Sequence, residues 1–180
     1  MAITIPGLDV PLKAVREGLA EVLVPAEEVR APKKAPVFYN PAMAVNRDIA
    51  VLVLRAWWAR EGLERPLRAC EPLCGCGVRG IRFALEVPSV GEVVMGDLNP
   101  SAARLSQENV RRNRVEERVR VELSDANVLL TQHSAPGRRF DYVDLDPFGS
   151  PAPFLDSAVR ALRSRGLLAL TATDMAPLCG

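Results

Sequence analysis

The chain has 180 residues, 48% of them hydrophobic and 25% charged, the proportions of an ordinary globular domain with one core rather than of a disordered or fibrous chain. Lys and Arg number 23 against 22 Asp and Glu, a formal net charge of +1, so no overall field marks the surface for a nucleic acid or an acidic membrane. No apolar run reaches the roughly 18 residues of a membrane span, and no basic segment followed by an apolar one opens the chain; the expectation is a cytoplasmic protein with no membrane partner.

The first 40 residues are punctuated by proline. Within them "EGLAEVLVP" (17–25) has the apolar content of a strand, and "APKKAPVFYNP" (31–41) reads as an extended segment, together suggesting an arm or cover rather than a core. From Asn40 the pattern changes. Asn40 is suited to cap a helix, Pro41 suits its first position, and Ile49, Leu52, Val53, Ala56 and Trp57 recur at helical spacing, predicting a helix to about Arg60.

From Leu67 onward, short apolar runs are separated by stretches of helical length. The runs are "LRACEPL", "EVVMGD", "VRVELSD", "FDYVDLD" and "GLLALTAT". The predicted helices between them cover 78–87, 100–113 (with Asn99 as cap), 126–132 and 152–164. Such alternation predicts an α/β fold of βα units on a parallel sheet of five strands. The last strand lies close to Gly180 and is expected to form an exposed edge.

In an open parallel sheet, ligands bind beyond the carboxyl ends of the strands. The first run ends in "EPLCGCGVRG", where Gly75 and Gly77 allow a turn to approach a ligand closely, although the spacing is not G-x-G-x-x-G. The second ends in Asp97, 22 positions after Gly75, where an acid accepts from two ribose hydroxyls. The third ends in "SDAN", with Asp125 placed to accept from an adenine amino group and the Ala126 amide to reach a ring nitrogen. Capping of the next helix is the simpler role for either acid, and more so for Asp125. The three strand ends together point to an adenosine-containing cofactor.

The fourth run ends in Asp146-Pro147-Phe148. An Asp-Pro turn that merely closes a strand gives the same three letters. In this position, however, they fit the [Asp/Asn/Ser]-Pro-[aromatic] pattern of S-adenosylmethionine-dependent amino-methyltransferases. An exocyclic NH2 on a ring is a poor nucleophile because its lone pair is delocalised. A site must accept its hydrogens and let the nitrogen pyramidalise; Asp146 and the Pro147 carbonyl can accept, while Phe148 can stack on the base. A metal site is not expected, since Cys70, Cys74 and Cys76 lack paired C-x-x-C spacing and His133 lies far along the chain in "TQHSAPGRR".

At "VFYNPAMAVNRD", "GVRGIRFALE", "DLDPFGSPAPFLDSA" and "TATDMAPLCG" the chain resembles the tRNA guanine-N2 dimethyltransferase family, from about residue 17 to the last residue. The resemblance implies a Rossmann-like class I S-adenosylmethionine-dependent methyltransferase fold. It also implies transfer of one or two methyl groups to the exocyclic amine of guanine 26, with S-adenosylmethionine as cofactor and tRNA as partner. By matching motif, Arg47, Glu71, Gly75, Gly77, Arg79, Asp97, Asp125 and Ala126 would serve the cofactor. Phe38 and Phe148 would bracket the guanine, with Asp146 as acceptor or base beside Pro147. Arg47 in an early helical turn would otherwise be read as solvated; the resemblance makes it a partner for the cofactor carboxylate. The first loop, "EPLCGCG", departs from the family's usual "DALSATG".

Family members are roughly twice as long. The expectation is therefore a partial chain: an N-terminal extension and helix over 1–66, then an incomplete methyltransferase domain over 67–180, with the last strands and the family's C-terminal domain missing. Three other readings stand beside this one: an amino-methyltransferase for adenine N6 or a glutamine amide, a nicotinamide-dependent oxidoreductase, and a module that binds cofactor or tRNA without turnover. Between Arg104 and Arg120 six arginines face three glutamates, a local excess that phosphate would satisfy and that a solvated helix face explains more simply.

Overall fold

The computed structural model describes residues 3–26 and 36–174. Lys33 and Lys34 of the extended segment, and "TATDMAPLCG" from Met175 onward, lie outside the described residues. Three antiparallel strands come first: β1 (Ile3–Ile5), β2 (Leu8–Glu17) and β3 (Ala20–Pro25). Helix α1 (Ala44–Glu61) follows, and then a succession of βα units: β4 (Leu67–Glu71), α2 (Val78–Glu86), β5 (Val90–Asp97), α3 (Pro100–Arg112), β6 (Val119–Leu123), α4 (Ala126–Gln132), β7 (Phe140–Leu145), α5 (Leu155–Ala161) and β8 (Leu162–Leu170). The last five strands pair in parallel in the order β6-β5-β4-β7-β8.

The alternation read from the sequence is thus a five-stranded parallel sheet. Central β7 is buried at every position, as expected of a strand covered on both faces, and β8 forms an edge. The strands stay parallel, but their order reverses between β4 and β7: the chain steps from β4 outward to β5 and β6 and then crosses to β7 on the other side, which opens a crevice beyond the carboxyl ends of β4 and β7.

The N-terminal strands are not an arm. Leu12, Val22 and Val24 are buried in one cluster with Leu54, Ile81 and Phe83. The hairpin signal lies in Gly18-Leu19 between paired Glu17 and Ala20. Gly18 takes φ 57°, which the first central residue of a tight two-residue turn requires. Two side-chain amides, one in α3 and one at its C-cap, then stand in for a further strand beside β3. Asn109 accepts from Leu23 N (2.7 Å) and donates to Leu23 O (3.0 Å) and Cys76 O (2.9 Å). One helical turn on, Asn113 accepts from Glu21 N (2.9 Å) and donates to Glu21 O (2.8 Å).

Exposed strand edges invite foreign pairing, and this one is satisfied internally. Asn109→Ala would strand three backbone groups and is expected to cost about 3 kcal/mol in urea unfolding. A cost below about 1 kcal/mol would show that the hairpin is not held there.

Helix α1 begins as expected: Asn40 Oδ1 accepts from Ala42 N (2.9 Å) over a single 3-10 turn, Pro41–Met43, and Gly62 (φ 61°) closes the other end. Its buried face is not the apolar stripe, however. Arg47, Ala50, Val51 and Leu54 face inward, while Ile49, Leu52 and Val53 are exposed. A buried ion pair between Arg47 and Glu17 decides the rotation. At the other end of the chain, α5 stops three residues before the predicted end at 164, after a 3-10 turn at Ala152–Phe154. Leu162 already pairs with Phe140, Arg163 reaches Asp141 (2.8 Å), and a bulge with Arg165 at φ 65° absorbs the extra residues. Among the described residues no helix is long and apolar enough to cross a membrane.

Candidate active site

A cavity of about 480 Å³ lies over the carboxyl ends of β4, β5 and β7 and under the segment leading into α1. Its wall includes Phe38 and Arg47 from the N-terminal part, Glu71, Gly75 and Arg79 from the β4–α2 unit, Asp97 after β5, and Asp146, Pro147 and Phe148 after β7. Nine of the twelve residues singled out in the sequence therefore meet in one place. Gly77, Asp125 and Ala126 are off that wall.

Gly77 is the N-cap of α2 at φ 78°, where a Cβ would meet Met95 Cε and Ser106 Oγ at 3.0 Å; it is required by the turn and the packing. Asp125 caps α4, its Oδ1 accepting from Asn127 N (2.9 Å) and Val128 N (3.1 Å). Ala126 is buried in the first turn behind it.

Asp97 organises the first loop. Its Oδ2 accepts from Gly75 N and its Oδ1 from Asn99 N, both at 2.9 Å. Burial raises its pKa, against those two amides. A carboxylate has about four acceptor positions, so two remain for ligand hydroxyls. Gly75 sits in the left-handed region (φ 55°), and Ser106 donates to its carbonyl (2.8 Å), fixing the loop beside that acid.

Arg79 is held from three sides. Its Nε lies 3.6 Å from Glu71 Oε1, its Nη1 donates to Asp144 Oδ2 (3.1 Å), and its Nη2 donates to Asp146 Oδ2. Burial works against its charge, and Asp144, Glu71 and Asp146 outweigh it, raising the pKa. Glu71 is buried, and desolvation pushes its carboxyl up to about 8 against Arg79 and the Gly80 amide, with Asp144 adding to the rise.

A raised acid pKa has a definite consequence for stability. The contribution is fully present below the unfolded value near 4.5, and is lost as pH rises through about 8. Between those limits each pH unit removes up to about 1.4 kcal/mol. Glu71→Gln is expected to flatten stability against pH in that window when each protein is unfolded in urea across the range. Identical slopes would refute the assignment.

Arg47, exposed to only 6%, is committed to Glu17: Nε to Oε1 and Nη2 to Oε2, both 2.6 Å. Arg82 Nη1 joins the same carboxylate (3.0 Å), and the Tyr39 hydroxyl donates to it (3.2 Å). Desolvation raises the Glu17 pKa, but Arg47 and Arg82 overcome it and hold it below the usual value. Phe38 and Phe148 touch edge to face, with centroids 4.7 Å apart and planes at 77°. Beyond them Gly149 N donates to Thr173 Oγ1 and Thr173 N to Gly149 O, both 2.9 Å, so the segment after β8 braces the Asp-Pro-Phe loop.

Glu17, Asp144 and Thr173 were not singled out from the sequence. Only Asp144 left a signal, as a second acid inside an apolar strand. Among the described residues no group of three or more His, Cys, Asp or Glu is placed to hold a metal ion. His133, read as part of a polar loop, is buried at the end of α4 against Phe140.

The profile of the N2,N2-dimethylguanosine tRNA methyltransferase family matches residues 18–180. The chain is 46% identical over 170 residues to a tRNA (guanine(26)-N(2))-dimethyltransferase of Methanopyrus kandleri, covering 94% of this chain and 42% of that protein. It is 41% identical to a tRNA (guanine(26)-N(2)/guanine(27)-N(2))-dimethyltransferase of Aquifex aeolicus, with the same coverage. Among solved structures it resembles Trm1 from Pyrococcus horikoshii in complex with S-adenosyl-L-methionine, with a TM-score of 0.80 and 39% identity over 94% of this chain and 45% of that one. A tRNA m1G37 methyltransferase of Methanocaldococcus jannaschii, at 16% identity and TM-score 0.68, shares the fold. The chain spans less than half the length of the relatives it matches. On the sequence motifs, the sheet order and this match together, the chain belongs to the N2,N2-dimethylguanosine tRNA methyltransferase family.

Proposed function

We propose that this chain transfers methyl groups from S-adenosylmethionine to the N2 amine of guanine 26 in tRNA, giving mono- and dimethylguanosine. The observation that carries the reading is the placing of Asp146, Pro147 and Phe148 in one cavity with Asp97 and opposite Phe38. The donor set suits the cofactor: Asp97 has two acceptor positions left for ribose hydroxyls, Leu73, Cys74 and Ala102 give an apolar wall for a purine, and the Asp146 carboxylate at the lip favours a nearby cation. When bound, S-adenosylmethionine supplies an electrophilic methyl group on a sulfonium.

Asp97 would hold the ribose, and Arg47 the amino-acid end, from the edge of its guanidinium not taken by Glu17. Asp125, its Oδ1 given to α4, has its other oxygen for an adenine amino group beside the Ala126 amide. The Asp146 carboxylate and the Pro147 carbonyl would accept the two N–H bonds of guanine, with the ring between Phe38 and Phe148. Methylation makes the amine cationic and strongly acidic, so a carboxylate paired with Arg79 is base enough to take the proton.

Of the arginines between 104 and 120, Arg104 donates to Pro6 O, Arg111 pairs with Glu108 and Arg112 with Glu21. That arrangement favours a solvated face over a phosphate track. A tRNA substrate fits a cytoplasmic location.

The test is transfer of labelled methyl from S-adenosylmethionine to unmodified tRNA carrying guanine 26, against the same tRNA with adenine there. Label that depends on guanine 26, recovered as mono- and dimethylguanosine after digestion, is expected. Label that ignores the exchange would overturn the target; label on neither would overturn activity of these 180 residues.

A further inference from the structure

We propose that Asp144 and Tyr142, neither of which lines the cavity, are positioning residues for methyl transfer: through Arg79 they hold the Asp146 carboxylate where the target amine arrives. The inference rests on the role of Asp146 given above and extends it into the core.

Tyr142, Asp144 and Asp146 alternate along β7 and its exit, so their side chains lie on one face of the sheet. The Tyr142 hydroxyl donates to Asp144 Oδ2 at 2.6 Å, and Arg79 Nη1 donates to that same oxygen at 3.1 Å. Arg79 Nη2 then reaches Asp146. Tyr142 is fixed in turn by Phe83, whose ring meets it edge to face at 5.3 Å and lies one turn along α2 from Arg79. Two contacts therefore lock α2 against β7, one aromatic and one ionic.

The Asp146 side chain is 23% exposed, at the lip of the cavity, whereas that of Asp144 is 1% exposed. An arginine has four rotatable bonds and does not aim itself. The inner carboxylate fixes one end of the planar guanidinium, and the other end is then directed at Asp146. The fold bears a cost for this arrangement. Asp144 Oδ1 is a buried oxygen without a hydrogen-bond partner, a feature that a purely structural strand position would be expected to avoid. A leucine there would pack into the core without that penalty, but would leave Arg79 with no inner anchor.

The test uses Asp144→Asn, which keeps shape while removing charge, and Tyr142→Phe, which removes one hydroxyl. Asp144→Asn is expected to lower kcat by about 10- to 100-fold, with KM for S-adenosylmethionine and for tRNA within about threefold of the parent. Tyr142→Phe should lower kcat about three- to tenfold. The double variant should be no worse than Asp144→Asn, because both act through one chain of contacts.

A second readout needs no turnover. The Arg79 Nη–H signals in 15N spectra, assigned by their loss in Arg79→Lys, should be protected from exchange in the parent, where Nη1 donates to Asp144 and Nη2 to Asp146, and lose that protection in Asp144→Asn. A kcat within twofold in folded Asp144→Asn, or a loss confined to KM for the cofactor, would overturn the proposal. If the parent transfers no methyl group to any tRNA, the proposed function fails. The spectrum then decides alone: retained protection in Asp144→Asn overturns the positioning role, and its loss upholds it.

Discussion

Asp146→Ala is expected to lower methyl transfer by about 10²- to 10⁴-fold, the range seen when a positioned acid–base group is removed. Affinity for S-adenosylmethionine should stay within about threefold. The carboxylate sits at the end of β7 between the Phe38–Phe148 pair and Arg79, so its loss would remove the acceptor proposed for the amine hydrogen. It leaves Asp97 and the first loop intact. Arg79 keeps Asp144 and Glu71, so the fold should hold. Single-turnover transfer and equilibrium dialysis separate the two effects. Transfer within tenfold of the parent would remove Asp146 from the chemistry, and a parallel loss of cofactor binding would move it to the cofactor site.

Arg79→Met is expected to destabilise the chain by about 3–5 kcal/mol near pH 8, the cost of breaking a buried pair and leaving its partners uncompensated. Three carboxyls share this guanidinium, and two of them, Glu71 and Asp144, are buried. Desolvation already raises both above their ordinary values with the arginine present. Without it they rise further, so the loss grows as pH climbs above the carboxylate range and shrinks as the acids take protons. Urea unfolding at pH 5 and pH 8 should therefore show the smaller difference between variant and parent at pH 5. An equal cost at both values would mean that the side chain matters for its packing and not for its charge.

Local signals carried most of the sheet. "EVVMGD" and "FDYVDLD" became β5 and β7 because short apolar runs ending in an acid are hard to place anywhere but in a buried parallel strand. The cap at Asn99 and the Asn40-Pro41 start were legible because capping is decided by neighbours in the chain.

What was not legible depended on distant partners. Arg47 faces inward because Glu17, 30 positions earlier, meets it, and that pairing overrode the apolar pattern of Ile49, Leu52 and Val53. The strands before it read as an arm or cover rather than as part of the core because Asn109 and Asn113, which complete their edge, lie over 80 residues away. In the site, Asp97 and Asp146 could be found from their strand ends. Asp125 could not be told from a helix cap, since both roles ask for the same residue at the same place.

The edge-to-face contact of Phe38 and Phe148 bears on how fast and how tightly a base can be taken up. With the two rings touching, a guanine bound between them as proposed would enter only from the minority of molecules in which they have parted. Such a pair is worth about 0.5–1.5 kcal/mol, so the parted state is rarer by about two- to thirteenfold, and apparent affinity for the flipped base is reduced by the same factor. That reduction is small beside what a whole tRNA backbone can supply in binding. On the proposed function the closed pair would lower the affinity of a free nucleoside and of a tRNA by the same factor, a loss that a substrate anchored elsewhere can absorb and a free nucleoside, which brings no other contacts, cannot.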